Sequence, residues 1–491
     1  MPNTMINKFP TFDLLLSPPI SVPQVASLEL AKMAELIESC LAAYDIMVHV
    51  ENISPGPAYI HFDLLPAPGV KVSQVINLSH DITRSLSAST IQIVPIIPGT
   101  PYIGLNVLRN CRDTIYLRTV LDYAQFKEID SHLAIALGKD ISGNPVITTL
   151  TDMQHLLIGG ATGSGKSTFI HAMILSLLYK ATPIDVRFIM IDTNMLELSV
   201  YEKLPHSLTR VISNTEEAVH ALHWCLNEMK WRYKLISALG VRSLIEYNQR
   251  VQQAIDLGHP IPNPFWIPSD GTDTTSSMLM QQPNIIVVID EFSDLMLKVG
   301  KEAEALIVSL TQQAHIAGIH LVLATRYISV DIITNLIKSN IPTRIAFSVF
   351  DKTDSHIISG QNGAELLPVG DMLYVAPHLI EPLRLHGALV HEQEIHSIVQ
   401  EWQKYSQPQY IKITSANDYG APEFEDEELD SLFEQAVVFV IEKQRASISE
   451  VQRQFRIGYN RAARIIEQME TIGIISMPDS NGNRKVLVPP S

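Results

Sequence analysis

The chain has 491 residues, enough for about three domains at 100–200 residues each. Hydrophobic residues make up 46%, charged residues 18% and aromatic residues 7%, which excludes a disordered chain and a collagen-like repeat. A net charge of −16 argues against a protein that coats nucleic acid indiscriminately, and three scattered cysteines (Cys40, Cys111, Cys225) exclude a disulfide framework and a paired-cysteine metal knuckle. The first residues lack the apolar core of a signal peptide, and no run of about 18 uncharged apolar residues follows. The expectation is a soluble, cytoplasmic chain with no membrane segment. Residues 1–140 open with a Pro-rich arm (Ser17-Pro18-Pro19), then an amphipathic helix over 25–43 and alternating strands at 46–53, 59–65 and 91–107, the last broken by Pro98-Gly99. This pattern predicts a small α+β domain.

From 141 to 405 short apolar runs alternate with long helices. Strands are predicted at 155–158, 187–192, 285–290, 319–325 and 344–349, with helices at 168–179 and 216–239, the pattern of a largely parallel α/β sheet. Residues 406–427 form an acidic linker. Between 417 and 435 there are eight acids and no base, whereas 445–491 holds seven bases against four acids. A basic module behind an acidic hinge suits an anionic partner. Helices predicted at 430–443, 448–455 and 460–471, then strands at 474–476 and 486–488 around a turn, give a winged-helix plan over 428–491.

The strongest motif is Gly160-Ala161-Thr162-Gly163-Ser164-Gly165-Lys166-Ser167-Thr168, which fits G-x-x-x-x-G-K-[ST] between a strand and a helix. Its glycines let backbone N–H groups curl around phosphate oxygens at the positive end of the helix. Lys166 is predicted to reach the β/γ-phosphates and Ser167 to ligate Mg²⁺. The apolar run 285–289 ends in Asp290-Glu291. Asp290 is predicted to hold a Mg²⁺-bound water and Glu291 to take the proton of the attacking water. The ligands expected are therefore ATP and Mg²⁺. Ala324-Thr325-Arg326 ends another strand and offers polar groups near the γ-phosphate. In the tail Asn460, Arg464 and Glu467 are spaced i, i+4, i+7 and share a helix face with base-reading chemistry. Arg461 accompanies them, and Arg484 and Lys485 on the wing suit phosphate contact. A solvated face with ion pairs such as Arg464–Glu467 is the plainer alternative.

These stretches, among them HLLIGGATGSGKST, VVIDEFSDLM and ASISEVQRQFRIGYNRAARIIEQME, resemble the bacterial FtsK/SpoIIIE DNA translocases over nearly the whole chain. The resemblance implies an N-terminal α domain, a RecA-like P-loop NTPase β domain and a winged-helix γ domain. It also implies a homo-hexameric ring that pumps double-stranded DNA with ATP, a γ domain that reads guidance sequences and touches a site-specific tyrosine recombinase, and an inner-membrane anchor at the septum absent from this chain. Departures cluster near the nucleotide. Asp192-Thr193-Asn194 stands for the family's Asp-Pro-Lys, and Ala324-Thr325-Arg326-Tyr327-Ile328 for Ala-Thr-Gln-Arg-Pro. Asp354-Ser355-His356 stands for Asp-Ser-Arg, Pro368-Val369-Gly370-Asp371-Met372 for Gly-Met-Gly-Asp-Met, and Ala314-His315-Ile316-Ala317-Gly318 for Ala-Arg-Ala-Ala-Gly.

Arg326, Arg344 and Arg384 are the candidate interface cations. The leading expectation is an ATP-dependent DNA translocase acting in chromosome segregation and dimer resolution at division. Altered sensor and cation positions favour, as the alternative, a nucleotide-gated DNA-binding factor with weak or lost turnover. A secretion ATPase that moves protein shares the same core, and the basic tail argues against it.

Overall fold

A computed structural model of the chain describes residues 9–18, 27–56, 59–88, 91–97, 99–109, 114–266, 278–411 and 413, together with 436, 439–440, 443, 447–455, 458, 461–462 and 466. It divides into two units, Met1–Ala416 and Asn417–Ser491.

In the first unit, Val48–Pro55 (β1), Tyr59–Pro66 (β2), Ile91–Val94 (β3) and Ile103–Leu108 (β4) form an antiparallel sheet in the order β1-β2-β4-β3. Alternation along β2 turns Phe62 and Leu64 inward. Ile37 and Leu41, one helical turn apart on Ser27–Ala42, belong to the same buried cluster. The predicted helix and strands all appear within a few residues of their expected ends. The short helices Val72–Asn77 and Ser79–Ser85 carry too few apolar positions to be legible as a periodic run.

A second sheet holds Ala134–Asp140 (β5), Pro145–Thr149 (β6), Leu156–Gly159 (β7), Val186–Ile191 (β8), Asn284–Ile289 (β9), Ile319–Thr325 (β10), Arg344–Ala346 (β11), Asp371–Val375 (β12) and Leu383–Gly387 (β13). Its order is β6-β5-β13-β12-β11-β7-β10-β9-β8. The run from β11 to β8 pairs in parallel, and every pairing from β11 to β6 is antiparallel. The sheet is thus mixed, where the sequence predicts a largely parallel one. The missed strands β12 and β13 carry Asp371, Arg384 and His386, so they do not read as buried apolar runs.

The sheet also takes in β5, on the N-terminal side of the expected boundary at 140/141. Residues 9–18 pack on the same body: Leu15 joins its core, Tyr179 Oη donates to Thr11 O at 3.1 Å, and Leu16 N–H donates to Glu394 Oε1 at 2.8 Å.

The parallel strands are covered on both faces. Leu156, Ile158, Ile286 and Val288 enter one hydrophobic cluster, while Leu157, Ile285, Val287 and Ile289 enter the other. Each such side chain contributes about 1.5–3 kcal/mol by leaving water, and this double burial is why these strands read as unbroken apolar runs.

In the second unit the helix Ile448–Phe455 falls where predicted, and described residues within 430–443 and 460–471 are helical. Ala436, Val440, Val451, Ala462 and Ile466 are all fully buried, and Phe439 meets Phe455 edge-on at 5.9 Å. The predicted wing lies outside the described residues.

Arg384, a candidate interface cation by sequence, is engaged within its own chain. Its Nη2 and Nε donate to Asp371 Oδ2 at 2.7 and 3.2 Å, and Nη2 also donates to the Tyr59 hydroxyl. The guanidinium lies over the Tyr59 ring at 4.4 Å, and His386 Nδ1 donates to Asp371 Oδ1 at 2.6 Å. These contacts join the four-stranded sheet to the nine-stranded one. Burial pushes the Asp371 carboxyl up, but the His386 hydrogen bond and the Arg384 charge outweigh it and hold the group below the usual carboxylate range.

Because the folded value is depressed, the pair contributes its full stability above the unfolded carboxylate pKa of about 3.9. That contribution is lost as pH falls through the folded value. Asp371→Ala leaves the part-buried Arg384 without its counter-ion and is expected to cost about 3 kcal/mol. Urea unfolding at pH 7 and near pH 3 checks this, with the gap between wild type and variant closing at the acid end.

Candidate nucleotide site

β7 ends in the loop 160–165 and the helix Lys166–Leu178 begins directly after it. Gly163 and Gly165 adopt φ of 77° and 110°, a region that other residues enter only at a cost. A Cβ on Gly160 would lie 2.6 Å from Cβ of Phe347, so the loop sits against the chain leaving β11 with no room to spare. Ala161 N–H donates to Ser348 O at 2.8 Å and Gly370 N–H donates to Ser164 O at 2.9 Å, which pins the loop on both sides. The N–H groups of the first helical turn have no partner within the helix and face the place where the loop turns.

The strand order puts β10 between β7 and β9, so three strand ends converge at one edge of the sheet. A cleft of about 460 Å³ opens there, lined by the loop, Lys166, Ser167, Thr168, Asp290, Glu291 and Arg326. The motif residues and the Asp-Glu pair predicted from sequence are thereby brought together. Lys166 Nζ donates to Asp290 O at 2.9 Å and to Asp290 Oδ1 at 3.2 Å, and both residues are buried. Burial pushes the Asp290 carboxyl up, Lys166 opposes this, and the nearby Asp192 and Glu197 carboxylates add to the rise.

Glu291 is only 3% exposed, so each of its lone pairs needs a donor. Oε1 accepts from the Ser293 hydroxyl at 2.7 Å, the Thr325 hydroxyl at 2.6 Å and the Arg326 N–H at 3.2 Å. Oε2 receives the Arg326 N–H at 3.2 Å and is paired with Arg326 Nε, also at 3.2 Å.

Sequence reasoning missed Glu197 and His171, which also line the cleft. His171 Nε2 donates to Glu197 Oε2 at 3.4 Å while Nδ1 meets the Tyr201 hydroxyl at 2.9 Å. The His171 hydrogen bond, with help from Ser167 and the Lys166 charge, holds the Glu197 carboxyl below its ordinary range against the effect of burial. His171 follows Ser167 by one helical turn on the helix Lys166–Leu178, a spacing that local pattern does offer, whereas only the fold brings Glu197 to the cleft. Asp192, just past β8, turns its carboxylate onto the N–H groups of Asn194, Glu197 and Leu198, which places Glu197.

Three family models match the chain in order: the FtsK alpha domain over residues 9–108, the FtsK/SpoIIIE family over 116–330, and the FtsK gamma domain over 427–489. The chain belongs to the FtsK/SpoIIIE family. It is 49% identical over 488 residues to the DNA translocase FtsK of Vibrio vulnificus (strain CMCP6), covering 98% of this chain and 50% of that protein. With the DNA translocase FtsK of Shewanella oneidensis the identity is 47% over 500 residues, covering 100% of this chain and 55% of the relative. The chain thus spans about half the length of the curated relatives it matches. Among solved structures, the pCW3 conjugation coupling protein TcpA, in its monomer form with ATPgS, superposes with a TM-score of 0.51. It is 18% identical and covers 76% of this chain and 99% of that one. That likeness supports the P-loop ATPase fold, with its mixed sheet.

The remaining candidates of this FtsK/SpoIIIE chain lie elsewhere. Arg344 opens β11, at the opposite end of the strand from the loop, where Nη1 donates to Ile358 O at 3.3 Å. Arg461 is helical and exposed, whereas Asn460, Arg464, Glu467, Arg484 and Lys485 lie outside the described residues. No helix among the described residues is long and apolar enough to cross a membrane. Lys166→Ala removes the one cation at the base of the loop. It is expected to weaken binding of a fluorescent ATP analogue by roughly ten- to a hundredfold, the worth of a charge-assisted hydrogen bond of about 1.5–3 kcal/mol. Unchanged affinity would place the phosphates elsewhere.

Proposed function

We propose that the chain is an ATP-driven double-stranded DNA translocase that works as a homo-hexamer in chromosome segregation and dimer resolution at division. The observation that carries this reading is the meeting of Lys166, Asp290 and Glu291 in one cleft, in a chain that also bears the family's gamma domain.

In this reading the loop N–H groups and Lys166 bind the β/γ-phosphates of ATP, and Glu291 takes the proton of the attacking water. Ser167 and Asp290 hold Mg²⁺, which when bound neutralises charge on the phosphate oxygens. Among the described residues no cluster of three or more acidic, His or Cys side chains could hold a cation by itself, so Ser167 and Asp290, which line the cleft, would share it with the phosphates of the nucleotide. Asn460, Arg461, Arg464 and Glu467, with Arg484 and Lys485 on a wing, orient loading on duplex DNA. A site-specific tyrosine recombinase is the protein partner, and anchoring at the inner membrane is the setting.

A second reading, a nucleotide-gated DNA-binding factor with little turnover, draws on one observation. The Glu291 carboxylate accepts from the Ser293 and Thr325 hydroxyls and the Arg326 N–H and is paired with the Arg326 side chain, so protein groups engage the proposed base. Displacement of a triplex-forming strand from a long duplex separates the two. The translocase reading predicts ATP-dependent displacement that Lys166→Ala abolishes; DNA binding without displacement at saturating ATP leaves the second.

A further inference from the structure

Arg326 directly follows strand β10, and its guanidinium is paired with the carboxylate that the proposed mechanism needs free. The two oxygens of Glu291 are not equivalent. Oε1 accepts from two hydroxyls and one N–H, more than a carboxylate oxygen with about two lone pairs requires. These donors come from Ser293, in the helix Phe292–Gln313 that follows Glu291, and from the end of β10, so they are fixed by the fold. Among the described residues Oε2 accepts only the Arg326 backbone N–H, which it shares with Oε1, while Arg326 Nε lies 3.2 Å away as an ion-pair partner without hydrogen-bond geometry. Oε2 is therefore the atom left for a water, and the guanidinium stands beside it. The Arg326 side chain is 40% exposed and lines the cleft beside Lys166, so it has solvent to move into, whereas Glu291 at 3% has none.

We propose that Arg326 is a positioning residue that restrains hydrolysis by holding Glu291 Oε2 away from the attacking water. The inference rests on the reading of Glu291 as the general base. In the step concerned, the water oxygen bonds to the γ-phosphorus as the bond from that phosphorus to the β,γ-bridging oxygen breaks, its electron pair leaving with ADP. One water proton passes to Oε2, and the products are ADP and inorganic phosphate. The guanidinium, 3.2 Å from Oε2, stands in the space that a water donating to that oxygen would enter, and it must move aside for the proton to pass. Backbone and hydroxyl donors to Oε1 stay in place throughout and keep the carboxylate aimed into the cleft.

The test is steady-state phosphate release by the full chain without DNA, over a range of ATP, for wild type, Arg326→Gln, Arg326→Lys and Glu291→Gln. Arg326→Gln is expected to raise kcat about two- to fivefold, the size set by a half-exposed ion pair, with KM unchanged. Arg326→Lys, which keeps a cation in reach of Oε2, is expected to restore the low rate. A fall in kcat for Arg326→Gln would overturn the proposal by showing that the guanidinium assists the phosphate. An unchanged kcat would overturn it too, leaving a purely structural ion pair. Binding of a fluorescent ATP analogue shows whether each variant is folded, and Arg326→Met, which keeps the aliphatic stem, repeats the test should the glutamine variant not fold. Glu291→Gln separates the two layers. If it hydrolyses ATP at the wild-type rate, the general-base reading fails; if it is inactive while Arg326→Gln equals wild type, the restraint alone fails.

Discussion

Two carboxylates emerge side by side from the end of an entirely apolar strand, and the rest of the site is arranged around the cost of keeping them there. An isolated carboxylate taken out of water is expensive, so each must find partners or give up its charge. Asp290 is met by Lys166, from the helix that follows the phosphate loop. Glu291 is met by hydroxyls and an N–H from the adjoining strand end and helix start, and by the one guanidinium that can reach it. The strand order makes both possible: with β10 between β7 and β9, the ends carrying the loop, the Thr325-Arg326 pair and the Asp-Glu pair are neighbours.

The same logic operates at the far side of the sheet. Asp371 is as buried as Glu291 and is answered by Arg384 and His386, and Arg384 in turn covers the ring of Tyr59 on the four-stranded sheet. A polar cluster inside the protein must be completely partnered to be stable, and one that recruits its last contact from another sheet fastens the two together. The neighbouring Gly370 both accepts the N–H of Gly387 and donates to Ser164 of the phosphate loop, so this fastening reaches the nucleotide site within one residue.

The parts of this arrangement that were legible in the sequence are those with a strong local cause. The phosphate loop needs glycines at left-handed positions, and Gly163 and Gly165 occupy them. Strands buried on both faces favour apolar runs, and residues 285–289 of β9 form an unbroken one, while β8 and β10 carry a single Arg187 and a single His320 within theirs. Strands β12 and β13 were not legible because their polar residues are buried only through pairing with one another, a fact that no local pattern carries. The boundary at 140/141 falls between the two strands of a hairpin, since β5 pairs with β6 on one side and with the sequence-remote β13 on the other. Glu197 is a site residue only because Asp192 turns the chain after β8 toward the cleft, whereas His171 follows Ser167 by one helical turn. Arg326 was legible as a departure from the family pattern, but sequence offers it as a cation for a phosphate or a neighbour. Its pairing with Glu291 is a product of strand adjacency.

A restrained general base places control of this ATPase at the cleavage of the γ-phosphate, ahead of product release. Rapid-quench measurement of a single turnover of bound ATP, by the wild-type chain and by Arg326→Gln, examines that step by itself. The account predicts that acid-quenched ADP appears faster in the variant. Cleavage at one rate in both proteins would contradict it.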